Sequence, residues 1–170
     1  EYAGYYGGQR PCYLIEVTAI TMRKDAVFHH IDSAHLEHNL CMVLPGESNV
    51  YGVVKRRIPT LKAVHAPPSA CRHHYYVSIA KRTQGEGMLA GLLAVGGELH
   101  SKFVVVVDED IDVFDEEEVL WAVATRVSLD KDIAIIPRLP HSPIDPRSYS
   151  EQGLDYESDE VEKGELIGRV

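Results

Sequence analysis

The sequence predicts an α/β fold, with a twisted, mostly parallel sheet flanked by helices. Between residues 61 and 136, short runs of β-branched and aromatic residues alternate with helix-length segments, as they do in sheets built from strand–helix–strand units. The run at 102–107 is apolar after its first residue, which is typical of a strand buried on both faces. With 45% hydrophobic residues among 170, the chain can build one domain-sized core.

The N-terminal part predicts two strands followed by a helix. Residues 12–22 are rich in β-branched and aromatic side chains and predict a strand. After a turn, residues 26–31 predict a short second strand. A helix is expected over 34–44, because Asp32 or Ser33 can accept hydrogen bonds from the first free N–H groups of a helix.

The middle of the chain predicts a second helix, two strands and a third helix. Pro45-Gly46 is expected to end the preceding helix, because proline removes a helical hydrogen bond, and the next helix is predicted over 47–57. Residues 61–65 and 75–80 predict strands. Residues 87–100 have the length and apolar content of a helix, although internal glycines weaken this prediction.

The strand at 102–107 leads into an acidic loop and then a helix predicted over 116–127. Asp115 can cap this helix, and the three glutamates that follow suit the positive end of its dipole. Residues 132–136 predict a last strand. Over 141–170 acidic residues, serine and proline are frequent, so an irregular acidic tail is expected.

The composition argues against several classes of protein. The chain has 26 acidic and 17 basic residues, whereas a nucleic-acid-binding protein needs clustered lysines and arginines. Three cysteines without CxxC spacing predict neither a disulfide framework nor a zinc ribbon, so we expect reduced thiols in a cytoplasmic protein. The most apolar run, 88–95, is too short to cross a bilayer. We therefore predict no integral membrane segment and no secretory leader.

The acidic segment 108–112 is one candidate site. Carboxylates that follow a parallel strand lie where α/β proteins bind ligands, and a D-x-D pair can hold a divalent metal. This pattern is compatible with a glycosyltransferase-like domain that binds a nucleotide-sugar through the metal. The alternative is a solvated acidic loop that caps the following helix.

A second candidate site lies around the first predicted helix. Histidines surround Glu37 there, at positions 29, 30, 35 and 38. On a helix, His35 and His38 share a face and could bind a metal, but their spacing does not match a known zinc motif, and such histidines are more often surface or packing residues. Glu37 could instead be a general acid, since burial can raise the pKa of a carboxyl group toward neutrality.

Several segments, in order along the chain, resemble a known family. Residues 1–6, Glu-Tyr-Ala-Gly-Tyr-Tyr, are similar to a G-E-Y/H-T-G-Y-Y loop, and residues 16–25 to an E-V-T-x-I-T-x-R-K-D strand and turn. Residues 102–112 resemble T-K-F-V-I-V-V-D-D-D-V-D, and residues 119–126 resemble V-I-W-A-I-T-T-R. These motifs are those of the C-terminal half of UbiD decarboxylases, the 3-octaprenyl-4-hydroxybenzoate carboxy-lyase type.

The resemblance implies an enzyme that reversibly and non-oxidatively decarboxylates an aromatic, heteroaromatic or α,β-unsaturated acid. It implies prenylated FMN as cofactor, supplied by a flavin prenyltransferase and held with Mn²⁺ and K⁺ in a split β-barrel. The cofactor would act as the electron sink, while the protein supplies orientation and a proton. A homodimer or higher homo-oligomer is also implied.

The implied organisation has four parts. They are the tail end of the cofactor-binding split barrel (1–22), a connecting strand and active-site helix (23–44), the C-terminal α/β domain (45–140) and the acidic tail (141–170). Within this arrangement, the resemblance places the chain after most of the cofactor-binding barrel.

The resemblance also implies roles for individual residues. Glu1 matches the family's metal-binding glutamate at the cofactor site. Glu37 matches the proton-donating carboxylate, but its neighbours lack the prolines of the family's P-P-D-E-P stretch, so His35 is an alternative donor. Cys71 lies in a segment similar to P-P-E-G-C and is assigned to the cofactor site. From its residue type alone, a structural cysteine is favoured over a reactive thiol paired with His73, which lies on the same face of a strand.

Departures from the family pattern leave alternatives open. Glu151 falls near the position of a lysine that approaches the cofactor phosphate, and a negative charge there would oppose the phosphate. The other metal ligands and the catalytic arginine would lie upstream of Glu1, so the chain is expected to be an incomplete fragment that is inactive alone. The alternatives are a non-catalytic C-terminal subunit or dimerisation fragment, and the glycosyltransferase-like domain. The sequence does not identify the carboxylic acid substrate.

Overall fold

The structure is a computed structural model that describes residues 2–5, 12–140, 142 and 145. Its elements, in chain order, are α1 (Leu36–Arg57), β1 (Leu61–His65), a 3₁₀ turn (Pro68–Ala70), β2 (His74–Ile79), α2 (Glu86–Gly97), β3 (Phe103–Asp108) and α3 (Glu116–Arg126). This alternation confirms the predicted α/β class. β1 has the predicted bounds, and α3 begins at the predicted residue.

The sheet of the described region has three strands in the order β1-β2-β3. β1 pairs with β2 in antiparallel fashion, with Leu61 opposite Ile79, and β2 pairs with β3 in parallel. The prediction of a mostly parallel sheet is therefore wrong for this region, since one of its two pairings is antiparallel. The reason is the short connection at 66–73, because a parallel pairing needs a crossover connection of about a dozen residues or more.

Helices cover both faces of the sheet. Side chains alternate along β2, so that Tyr75 and Val77 pack with buried residues of α1 and α2, whereas Tyr76 packs with buried residues of α3. Val50 and Val54 of α1 are fully buried in the first of these two cores. The domain thus has three layers, with α1 and α2 on one face and α3 on the other.

α1 is a single helix of 22 residues with Pro45 inside it. The prediction that Pro45-Gly46 separates two helices is wrong. Proline in a helix interior costs about 3 kcal/mol, but Val43, Val50 and Val54 are buried at helical spacing on both sides of it. Packing of this continuous face against the sheet overrides the local preference for a break.

Gly46 lies where α1 makes a close contact with the sheet. A Cβ atom at this position would collide with the Tyr75 hydroxyl and come within 2.8 Å of Arg72 Nε. Gly46→Ala should therefore destabilise the fold by about 1–3 kcal/mol from overpacking, offset by up to about 1 kcal/mol of helix propensity.

Gly52→Ala is the matched control on the same helix, because nothing lies within 4 Å of a Cβ there. It should stabilise the chain by about 0.5–1 kcal/mol. Urea unfolding of both variants gives the comparison. Equal midpoints for the two variants would show that Gly46 is not needed for close packing.

Three segments predicted as strands, 12–22, 26–31 and 132–136, form none in the structure. Their apolar side chains are largely exposed, as at Tyr13 (99%) and Ile135 (88%). A strand is held by hydrogen bonds to a neighbouring strand, and no such neighbour exists for them in the region that the structure describes. Within the described residues, neither the 12–22 part of the predicted barrel remnant (1–22) nor the connecting segment after it forms a strand.

β3 is less buried than its apolar sequence predicts. Val107 is buried, but Phe103 is 50% exposed and the intervening valines are partly exposed. The prediction of a strand covered on both sides is wrong here because β3 is at an edge of the observed sheet. The predicted domain boundary between residues 44 and 45 falls inside α1.

Candidate functional site

Glu37 and His35 both lie at the N-terminus of α1. His35 is the N-cap residue, and its side chain makes no capping hydrogen bond, so the prediction that Asp32 or Ser33 caps this helix is wrong. Glu37 is in the first turn with its side chain 59% exposed. Its Oε1 atom lies 3.3 Å from Nε2 of His29. The two candidate proton donors are therefore adjacent and open to the surface.

A tight turn brings the segment before α1 against the helix. Ala34 has a φ of +67°, in the left-handed region that is unusual for a residue with a Cβ. The Ala34 N–H donates to Nδ1 of His38 at 3.3 Å, and the His35 N–H donates to the Asp32 carbonyl at 3.4 Å. Because Nδ1 of His38 accepts, the proton of the neutral ring is on Nε2.

The histidines around Glu37 do not form a metal site. His30 pairs with Asp32 at 2.9 Å, and His29 with Glu37. Within the described part of the chain, no group of three or more histidine, cysteine, aspartate or glutamate side chains is arranged to hold a metal ion. The metal interpretation of this cluster therefore finds no support.

Tyr2 joins the N-terminal loop to the α/β domain. It is 2% exposed, and its ring lies 6.2 Å from that of His38 and 6.1 Å from those of His73 and His100. Burial raises the pKa of the Tyr2 hydroxyl to about 12. Tyr2 therefore contacts both His38, which follows Glu37, and His73, which lies two positions after Cys71. It links the two candidate regions.

Cys71 lies at a cleft of about 360 Å³ between the N-terminal loop and the start of β2. Cys71 and Arg72 both have positive φ, +49° and +63°. The polar residues that line the cleft are Tyr5, Ser69, Cys71, His73, His74, Lys102 and Asp145. Glu37 and His35 are not among the residues that line it.

The described side chains that line this cleft carry little net charge. Burial lowers the pKa of both His73 and His74, which keeps the imidazoles uncharged near pH 7. Nζ of Lys102 is 2.6 Å from Oδ2 of Asp145, which is 2% exposed. Cys71, Tyr5 and the imidazoles can exchange hydrogen bonds with a ligand, but among its described lining residues the cleft has no uncompensated cation for a phosphate.

A buried network behind Cys71 was not predicted from the sequence. Nη2 of Arg72 and Nδ1 of His100 each lie 2.9 Å from a carboxylate oxygen of Glu98, whose side chain is 4% exposed. Burial alone would raise the pKa of Glu98, but hydrogen bonds from His100 and Arg72 lower it below its ordinary value. The network fixes the Cys71–Arg72 turn to the end of α2. No sequence signal links Arg72 to Glu98, which are far apart along the chain.

The acidic loop after β3 is held by separate partners. The ion pairs are Asp108–Lys81 (3.7 Å), Glu109–Lys62 (2.8 Å) and Asp110–Arg126 (2.8 Å). Asp115 caps α3, accepting from the N–H groups of Glu117 (3.0 Å) and Glu118 (3.3 Å). The arrangement favours the capping interpretation of this loop over a metal-binding D-x-D pair.

Two residues singled out in the sequence, Glu1 and Glu151, lie outside the described residues. The same holds for most of the predicted acidic tail, in which Ser142 and Asp145 are described and buried. Among the helices that the structure describes, none combines the length and apolar character needed to cross a membrane.

Comparison with known proteins places most of the chain in one family. Residues 39–162 match the family described as the 3-octaprenyl-4-hydroxybenzoate carboxy-lyase C-terminal domain, UbiD_C. The chain is 42% identical over 134 residues to an anhydromevalonate phosphate decarboxylase of Methanothermobacter thermautotrophicus, a match that covers 78% of this chain and 32% of that protein. It is 33% identical over 152 residues to a gallate decarboxylase of Lactiplantibacillus plantarum, covering 86% and 31%.

Solved structures give the same relationship. The UbiD-class enzyme HmfF of Pelotomaculum thermopropionicum, in complex with FMN, is 38% identical with a TM-score of 0.70, over 73% of this chain and 28% of HmfF. The 3,4-dihydroxybenzoic acid decarboxylase AroY of Klebsiella pneumoniae is 32% identical with a TM-score of 0.62, over 68% and 25%. The chain thus spans about a third of the length of the curated relatives it matches.

Proposed function

The chain belongs to the UbiD family of carboxy-lyases, through that family's C-terminal domain, and from this premise we propose that it is the C-terminal part of a prenylated-FMN-dependent decarboxylase. The substrate would be a small aromatic, heteroaromatic or α,β-unsaturated carboxylic acid. The observation that carries the proposal is the family match over residues 39–162, in a chain whose Glu37 stands at the start of α1. A homodimer or higher homo-oligomer, in the cytoplasm, belongs to the same proposal.

A flavin cofactor is supported by the HmfF relatives, one solved with FMN and an evolved dimeric form with prFMN. When bound, prenylated FMN would supply the electron sink for decarboxylation. The described residues that line the cleft include no cation without a paired anion, so the cofactor phosphate would be bound by the upstream region. Mn²⁺ and K⁺ would be bound there too, with Glu1 as a metal ligand. A flavin prenyltransferase would supply the cofactor.

This chain would contribute the proton donor and polar side chains that line the cofactor site. Glu37 would protonate the carbon that has lost CO₂, with His35 as the alternative donor beside it. Cys71 would face the cofactor or substrate from the cleft. The Glu37 side chain is 59% exposed, so a closed pocket around it requires an element that covers the start of α1.

The upstream region would be that covering element. Segments 12–22 and 26–31 would pair as strands with the remainder of a split barrel. This pairing would bury their exposed apolar side chains and give their backbone N–H and C=O groups hydrogen-bond partners. The division into barrel end (1–22), connecting segment (23–44), α/β domain (45–140) and tail (141–170) remains our proposal. We use "complete enzyme" below for this chain joined to such an upstream cofactor-binding region.

The test is a decarboxylation assay on the complete enzyme loaded with prenylated FMN and Mn²⁺. The acids to offer first are those in the names of the relatives: anhydromevalonate phosphate, gallate and 3,4-dihydroxybenzoate. Release of CO₂ from at least one acid of the three proposed classes is expected, and the same protein loaded with unmodified FMN is the control. No turnover of any such acid by the cofactor-loaded protein would contradict the proposal.

A further inference from the structure

We propose that His29 positions Glu37 and returns a proton to it after each turnover. This inference rests on the proposed function, in which Glu37 is the proton donor. Nε2 of His29 lies 3.3 Å from Oε1 of Glu37. His29 is thus a positioning residue, acting on the reaction only through Glu37.

The contact is built by the turn that precedes α1. The positive φ of Ala34 reverses the chain, and the hydrogen bonds from Ala34 N–H to His38 and from His35 N–H to Asp32 hold the reversal. This turn returns the segment that carries His29 to the first turn of α1, eight positions later. The pairing therefore follows from the fold of the segment.

The other nearby histidines are engaged differently. His30 pairs with Asp32 at 2.9 Å, and Nδ1 of His38 accepts the Ala34 N–H. Among the four histidines around Glu37, His29 is the one with a recorded hydrogen bond to its carboxylate in the described structure.

Decarboxylation requires that Glu37 be reprotonated after each turnover, and His29 is placed to do this. Loss of CO₂ leaves an electron pair on carbon, and a proton from the Glu37 carboxyl group forms the new C–H bond. Glu37 is then a carboxylate, and the His29 imidazolium returns a proton from Nε2 to Oε1. The imidazole takes its next proton from water, to which its side chain is 74% exposed in this chain without the upstream region. One solvent proton is consumed per CO₂ released, and imidazole is the side chain that exchanges protons readily near neutral pH.

The kinetic test compares His29→Ala with His30→Ala in the complete enzyme. His29→Ala should lower kcat by about 10²-fold, the lower end of the range for general acid–base groups, with KM unchanged because substrate binding is not affected. Added imidazole should restore part of the lost rate, because it can occupy the space that the missing side chain leaves and carry the same proton. His30→Ala should retain the wild-type kcat. Both side chains are exposed in the 170-residue chain, in which these substitutions should change stability by less than about 0.5 kcal/mol.

A spectroscopic test needs no cofactor. In the 170-residue chain, the ¹⁵N chemical shift of His29 Nε2 at fixed pH should change in Glu37→Gln and stay constant in Asp32→Asn. The inference is wrong if His29→Ala and His30→Ala have the same kcat, or if the ¹⁵N chemical shift of His29 Nε2 is the same in Glu37→Gln as in the wild type. A complete wild-type enzyme without decarboxylase activity would instead contradict the proposed function, so the two failures are distinguishable.

Discussion

Glu37→Gln is expected to lower kcat of the complete enzyme by about 10²–10⁴-fold, the range typical of a positioned general acid. Glutamine preserves the shape of the side chain but has no acidic proton to give to the carbon that loses CO₂. Loading with prenylated FMN should persist, because the proposed metal and phosphate contacts lie elsewhere. Exchange of deuterium into the reacting carbon of the product should fall in parallel, because it uses the same proton transfer.

His35→Ala is the control for this prediction. His35 is the N-cap residue of α1, two positions before Glu37, and its side chain makes no capping hydrogen bond. Its loss should leave turnover close to that of the wild type. A nearly normal rate in Glu37→Gln together with an inactive His35→Ala would assign proton donation to His35.

Glu98→Gln is expected to cause the largest loss of stability, about 3–5 kcal/mol, as when one partner of a buried ion pair is removed. Glu98 is 4% exposed and accepts from Arg72 and His100 at 2.9 Å each. Glutamine would leave the largely buried Arg72 guanidinium without a counter-charge. The midpoint of urea unfolding at pH 7 measures the effect.

The same pair predicts a pH dependence. The folded-state pKa of Glu98 is lowered, because hydrogen bonds from His100 and Arg72 outweigh the opposing effect of burial. A depressed carboxyl pKa contributes stability that is complete above the unfolded value of about 4.3 and is lost as the pH falls through the folded value. Wild type should therefore lose more stability than Glu98→Gln between neutral pH and that acidic range.

Glu109→Gln is the matched control for Glu98→Gln, since Glu109 forms an ion pair with Lys62 in which both side chains are more than half exposed. Exposed pairs contribute less than about 1 kcal/mol. Equal unfolding midpoints for Glu98→Gln and Glu109→Gln would show that the buried Arg72–Glu98 pair contributes no more to the free energy of unfolding than an exposed pair does.

Local signals predicted the elements whose cause is local. The Asp115 cap and the glutamates after it predicted the start of α3, and the strand-like run at 61–65, ahead of Pro67-Pro68, predicted β1 with its observed bounds. Prediction failed where distant contacts decide the structure. Pro45 is retained inside α1 by packing against the sheet, and 12–22 needs a partner strand that the described residues do not supply.

The candidate site shows the same division. Motif resemblance pointed to Cys71 through its Pro67-Pro68 neighbours and to Glu37 despite the missing prolines around it, and both roles stay predictions. The Arg72–Glu98 pair and the three histidines around Tyr2 join residues from distant parts of the chain, and no spacing rule on a single sequence predicts them. The contact between His29 and Glu37 depends on the positive φ of Ala34, which alanine does not favour.

The most direct test of the central claim is the decarboxylase activity of this chain with and without the upstream region. Both proteins are assayed with prenylated FMN, Mn²⁺ and the same carboxylic acids. The account predicts CO₂ release by the joined protein, strong loss of it in the joined Glu37→Gln protein, and none by the 170-residue chain alone. Turnover by the isolated chain, or a joined protein that binds the cofactor and remains inactive, would contradict it, the latter in favour of a non-catalytic C-terminal subunit.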